Sequence, residues 1–85
     1  GIGVAEDETK AFEYFKQAAE GGNAYAQNTV GYYLEEGIGV AEDVAKAFTW
    51  YLRAANQGHA VAQYNVGRCF RKGTGVAEDF DKAVY

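Results

Sequence analysis

Apolar residues recur along this chain at helical spacing. From Lys10 onward they fall at Ala11, Tyr14, Phe15, Ala18 and Ala19, the offsets that form one stripe on an α-helix. The same stripe returns as Ala47, Trp50, Tyr51, Ala54 and Ala55. A second type of segment, with Ala26, Val30, Tyr33 and Leu34, is matched by Ala62, Val66, Cys69 and Phe70. The polar and small residues between them read as punctuation. Asp7, Asp43 and Asp79 stand where an N-cap is wanted. Gly37 and Gly73 follow the second type and suit a left-handed C-terminal residue, while Gly22 and Gly58 divide one unit from the next. The pattern predicts helix A over 23–36 and 59–72, and helix B over 8–20, 44–57 and 80–85.

The segments are copies of one unit. GIGVAED opens at Gly1, returns at Gly37, and returns as GTGVAED at Gly73. Sliding residues 1–36 onto 37–72 gives 18 identities, gathered on turn and packing positions rather than spread evenly. Such clustering marks a stacked repeat. The chain divides into a partial unit over 1–22 (loop and helix B), a complete unit over 23–58, and a partial unit over 59–85 (helix A, loop, start of helix B). Gly31 and Gly67 sit inside helix A, where glycine costs about 1 kcal/mol relative to alanine. Their recurrence implies a neighbouring backbone crossing at that point. Phe12, Tyr14, Phe15, Phe48, Trp50 and Tyr51 supply the bulk that such small residues receive, with Val4, Val40 and Val76 beneath the loops.

Composition narrows the function. With 85 residues, 48 % of them hydrophobic and 15 % aromatic, the chain is one small folded unit and not a disordered one. A net charge of -4 argues against nucleic-acid binding, which needs a basic face. No apolar run approaches the roughly 18 residues of a spanning helix, so no membrane insertion is expected, and no signal-peptide pattern is seen. Gly1 in place of Met leads us to expect a fragment of a longer array.

Candidate chemistry is sparse. Cys69 is a lone cysteine and His59 a lone histidine, so neither a disulfide framework nor a metal site is expected. Cys69 aligns with Tyr33 and reads as core filler; His59 aligns with Asn23 and reads as a helix-start residue. The GIGVAE string lacks the third glycine and the preceding strand of a phosphate loop. The acid pairs Glu6–Asp7 and Glu42–Asp43 recur with the unit, which favours capping over catalysis. There is no serine for a Ser–His–Asp arrangement. We expect no enzyme and no cofactor.

From Ala26 to Gly58 the unit reads AxxxVGxxLxxGxGVxxDxxKAxxWYxxAAxxG. It resembles the Sel1-like repeat, a 36-residue relative of the tetratricopeptide repeat. The joins AEGGNAYAQ and ANQGHAVAQ carry the same likeness. Val30 and Val66 replace a usual Leu, Leu34 and Phe70 a usual Tyr, and Tyr14–Phe15 a usual Trp–Tyr, all keeping apolar bulk. The resemblance implies an all-α fold, a right-handed α/α superhelix (solenoid) of helix-turn-helix repeats with a concave face. It also implies a non-enzymatic scaffold or adaptor for protein–protein interaction. Some bacterial members carry a cysteine pair in each repeat and are linked to cell-wall-related ligands; with Cys69 alone, that branch does not carry over.

In a solenoid, exposed positions that differ between repeats are free to bind. On helix A these are Tyr25, Asn28, Tyr32 and Glu35, with Val61, Tyr64, Arg68 and Arg71 as equivalents. Tyrosine and arginine are enriched at binding hot spots, so a peptide or protein partner is expected here. The alternative is a small-molecule or glycan binder, or a hydrolase, on the same fold. That reading would need a polar pocket or paired cysteines. Glu35–Glu36 and Arg71–Lys72 end equivalent helices and are expected to attract. Fewer than three full units and no polar capping helix predict exposed apolar ends, covered by the rest of a longer array or by another copy of the chain.

Overall fold

In the computed structural model, residues 2–73 are described, with side chains from Glu6 onward. Four helices follow one another: α1 (Ile2–Glu20), α2 (Ala24–Glu36), α3 (Val44–Asn56) and α4 (Ala60–Lys72). No strand occurs among the described residues. Each helix packs on the next, α1 on α2, α2 on α3 and α3 on α4, the serial neighbour contacts of an α/α solenoid.

The caps and joints follow from the residues that stand there. The Asn23 side chain accepts a 2.8 Å bond from the Ala26 N–H, and Asp43 a 3.0 Å bond from the Lys46 N–H. Each satisfies one orphan donor of a first turn. His59 takes the same place on α4 as a helix-start residue, without a side-chain cap bond. The α1–α2 and α3–α4 joints are alike. Gly22 and Gly58 adopt φ of 102° and 87°. The N–H of Asn23 then bonds the Ala18 carbonyl, and that of His59 the Ala54 carbonyl. This is a Schellman ending whose last residue is also the N-cap of the next helix.

The α2–α3 loop starts at Gly37, left-handed at φ 71°. It is tied back to α2 by Ile38 N–H to the Tyr33 carbonyl (2.9 Å) and Asp43 N–H to the Leu34 carbonyl (2.8 Å). Val40 lies against the core beneath it, as expected. A Cβ at Gly39 would run into the backbone of Glu8 and Thr9, so the loop is pressed onto α1.

The equivalent segment at the start of the chain behaves differently. Residues 2–7 were expected to form a loop with Asp7 as N-cap, yet they continue α1. The carbonyls that hold the internal loop belong to Tyr33 and Leu34. Residues 2–7 make intrahelical bonds instead. The helix B expected over 80–85, with Val76 and Asp79, lies outside the described residues.

The core is built from Phe12, Val30, Leu34, Tyr51, Val66 and Cys69, with small partners Ala19, Ala26, Ala47, Ala54, Ala55 and Ala62. A Cβ at Gly31 would stand 2.7 Å from two ring carbons of Tyr51 and 3.1 Å from the Ala47 carbonyl oxygen. What crosses this glycine is a ring first and a backbone second, which refines the expectation. Buried glutamine braces the units. Gln27 Nε2 donates to the Ala19 carbonyl at 3.1 Å, and Gln63 repeats the bond to Ala55 at 3.3 Å. Gln57 Nε2 bonds Gln27 Oε1 at 2.9 Å, joining the two helices of the complete unit.

Tyr14 departs from the expected packing, being 78 % exposed. The matching α3 stripe is covered by α2 through Ala47 and Tyr51. The α1 stripe of Ala11, Tyr14, Phe15 and Ala18 has no such helix ahead of it among the described residues, and Ala18 is exposed where Ala54 is buried.

Gly31→Ala is expected to lower stability by about 1–3 kcal/mol, because the fully buried Tyr51 ring must shift. Urea denaturation of the two proteins measures this; equal midpoints would mean the ring moves aside freely.

Candidate functional site

One side of α2 and α4 carries most of the large apolar side chains that reach solvent. Tyr25 is 64 % exposed, Tyr32 49 %, Val61 55 % and Tyr64 62 %. Their helical spacing dictates this. Residues 25, 28, 32 and 35 form one ridge, opposite the Ala26 and Val30 that α2 buries. Tyr25 is held from two directions, with its ring 6.4 Å from that of Phe15 on α1 and 6.4 Å from that of His59. Tyr32 lies edge-on to Tyr33 at 6.3 Å.

The polar members of the expected site are engaged with one another. Arg68 Nη1 and Nη2 donate to Glu35 Oε2 and Oε1, both at 2.7 Å. The Tyr51 hydroxyl donates to the same Oε1 at 2.8 Å. Asn65 Nδ2 donates to Asn28 Oδ1 at 2.9 Å. Glu35, Arg68 and Asn28 therefore tie one repeat to the next. Of the expected residues, Tyr25, Tyr32 and Tyr64, with Val61, stand open to solvent, and Arg71 is exposed at the end of α4.

The attraction expected between Glu35–Glu36 and Arg71–Lys72 is realised one turn earlier, on Arg68. The pair is largely shielded from solvent, so removing one partner would leave the other charge poorly compensated. Hydrogen bonding from Arg68 holds the Glu35 carboxyl below its ordinary value, against the opposing effect of burial. The Tyr51 hydroxyl and the charges of Arg68 and Lys72 add to the lowering. Burial, then the bond to Glu35, pushes the Tyr51 hydroxyl far up. The hydrogen bonds to Glu35 raise Arg68 further despite its burial. Cys69 is buried and its thiol is raised, first by desolvation. It is core filler, as its alignment with Tyr33 suggested.

Sequence reasoning missed the Tyr51 hydroxyl on Glu35, and the Asn65 and glutamine bonds. Gln27 and Gln63 left a usable signal, an identical polar residue beside the buried Ala26 and Ala62. Tyr51 left none, since the stripe on α3 marks its ring as core and says nothing of what its hydroxyl meets on α2.

Other chemistry is thin among the described residues. No group of three or more His, Cys, Asp or Glu side chains is placed to hold a metal. No described helix is long and apolar enough to cross a membrane. A shallow depression on α1 is lined by Lys10, Glu13, Tyr14 and Gln17, on the uncovered stripe. Arg53 lies over the Trp50 ring at 4.6 Å, a cation–π contact on α3.

The profile of the Sel1 repeat matches residues 1–23, 24–59 and 60–85. The crystal structure of a Sel1 repeat protein from Oxalobacter formigenes is 45 % identical with a TM-score of 0.82, covering 86 % of this chain and 55 % of that one. A protective antigen of uropathogenic Escherichia coli strains, displaying an SLR fold, is 40 % identical with a TM-score of 0.82, covering 86 % of this chain and 16 % of its own. The chain thus spans about half the length of the first protein and about a sixth of the second. No curated protein matches.

Glu35 titrates below its ordinary 4.5, so its contribution to stability is complete above that value and disappears as pH falls through the lowered folded-state value. Glu35→Gln is expected to cost about 2–4 kcal/mol at neutral pH, by leaving Arg68 unpaired. The gap between variant and parent should close in acid. Urea titrations along a pH series measure this, and a gap independent of pH would contradict it.

Proposed function

The chain belongs to the Sel1 repeat family, and we propose that it is a non-enzymatic scaffold or adaptor module whose α2–α4 face binds a protein or peptide partner. The observation that carries this reading is the group of exposed Tyr25, Tyr32, Val61 and Tyr64 on two adjacent helices. Large amphipathic side chains of this kind give contact area at low entropic cost and dominate binding energy. The Glu35–Arg68 pair and the Asn28–Asn65 bond position these helices, and Arg71 borders the surface. The net charge of -4 supports a partner other than nucleic acid.

The uncovered α1 stripe is a second association surface. Ala11, Tyr14, Phe15 and Ala18 repeat the positions by which α3 meets α2, and Tyr14 lies open. An adjoining repeat or another copy of the chain would cover it.

Two outcomes are expected. Once a partner is identified by affinity capture, Tyr32→Ala with Tyr64→Ala should weaken its binding by at least about tenfold; an unchanged Kd removes this face from the reading. Light scattering should show association growing with concentration and reduced by Tyr14→Glu. A monomer at every concentration would count against the second surface.

A further inference from the structure

We propose that the occupant of the uncovered α1 face is α1 of a second copy of this chain, packed antiparallel about a two-fold axis at Tyr14. The proposal rests on the reading of that face as an association surface, and it names the partner and the geometry.

The face carries both halves of a contact. Tyr14 stands out from it, 78 % exposed. Beside its ring runs the shallow depression lined by Lys10, Glu13, Tyr14 and Gln17. Those positions are i, i+3, i+4 and i+7, the four residues that frame one hole on a helix surface. A knob and a hole on the same helix are self-complementary, and a two-fold axis lets each Tyr14 enter the hole of the other copy.

The flanks of Tyr14 suit that axis. With the helices antiparallel, Ala11 meets Ala18 of the second copy on one flank, and Lys10 meets its Gln17 on the other. Ala18 is exposed and Ala11 half-buried, and both are small enough to let the helices approach. The Lys10 stem can cover the incoming ring while its ammonium group stays in water, and Glu13 or Gln17 can accept the incoming hydroxyl's hydrogen. Among the described residues the side chains of Lys10, Glu13, Tyr14 and Gln17 make no hydrogen bond or ion pair, so these groups are open to a second copy. Lys10 and Glu13 also cancel, which gives a chain of net charge -4 a neutral place at which to meet itself.

Cover by α2 or α4 of another copy is opposed by the packing. α2 covers α3 by seating the Tyr51 ring on Gly31 and by bonding its hydroxyl through Glu35. α1 has Phe15 at the Tyr51 position, without a hydroxyl, and that ring already lies against Tyr25 and Tyr33. Gly31 is occupied by Tyr51, and Gly67, its counterpart on α4, is buried. Neither helix offers a second copy an open seat.

The test uses the 85-residue chain. Sedimentation velocity should show one equilibrium that stops at the dimer. Tyr14→Ala should weaken it by at least about tenfold without changing the circular-dichroism spectrum. Cysteine pairing reads the geometry. Chains carrying Ala11→Cys, mixed with chains carrying Ala18→Cys and oxidised with glutathione disulfide, should link through the two introduced thiols, as identified by mass spectrometry. Either variant alone should link at least about tenfold less, since each position lies about 9–12 Å along the axis from its own copy. Lys10→Cys mixed with Gln17→Cys should behave in the same way, and both of these positions are exposed, so folding is not at stake.

A monomer at every concentration overturns the proposal and the association reading together, and so does a dimer indifferent to Tyr14→Ala. Association that Tyr14→Ala suppresses, but that runs on past the dimer or yields neither mixed disulfide, overturns the two-fold pairing alone and leaves α1 as a surface covered in another way.

Discussion

The spacing of this stack is set by a tyrosine ring lying on a glycine. Tyr51 is fully buried, and its ring fills the space that a side chain at Gly31 would occupy. Its hydroxyl reaches on to Glu35, which holds Arg68. One side chain of α3 thus touches α2 through its ring and, through Glu35, steadies α4. Dispersion and desolvation favour the ring's position, and the charged network fixes its direction. The rest of the molecule is arranged around that contact: the small alanines that let helices approach, the glutamines that close the joints, and the ridge of tyrosines left on the outside.

The all-α architecture was legible because each signal was doubled by the repeat. Gly37 and Gly73 at the helix ends, Asp43 and Asn23 at the starts, and the alanine-rich stripes all occupy the places their spacing suggested. The exceptions share one cause. Residues 2–7, Tyr14 and Ala18 were read by analogy with the second unit, where α2 supplies acceptors and cover. Analogy between repeats transfers local propensity but not the neighbour on which that propensity depends.

The exposed tyrosine ridge was legible only in part, for a different reason. Helical spacing located the ridge, and the exposure of Tyr25, Tyr32 and Tyr64 agrees with it. Spacing along one helix cannot say which polar residues meet across two. Glu35 with Arg68 are 33 residues apart and Asn28 with Asn65 are 37 apart, so neither pair falls on the 36-residue equivalence. Asn28, Glu35 and Arg68, expected to face a partner, are instead used by the fold in joining its units.

The α1–α2 and α3–α4 joints carry a consequence for how such a chain tolerates change in length. Asn23 and His59 each close one helix and open the next, so no slack residue lies between Gly22 and Ala24 or between Gly58 and Ala60. An insertion there would swing every later helix by about 100° and turn its apolar stripe away from its neighbour. The other connection passes through Ala41 and Glu42, which are exposed, and can lengthen outward without disturbing the stack. Growth and divergence by insertion are thereby confined to one edge of the array.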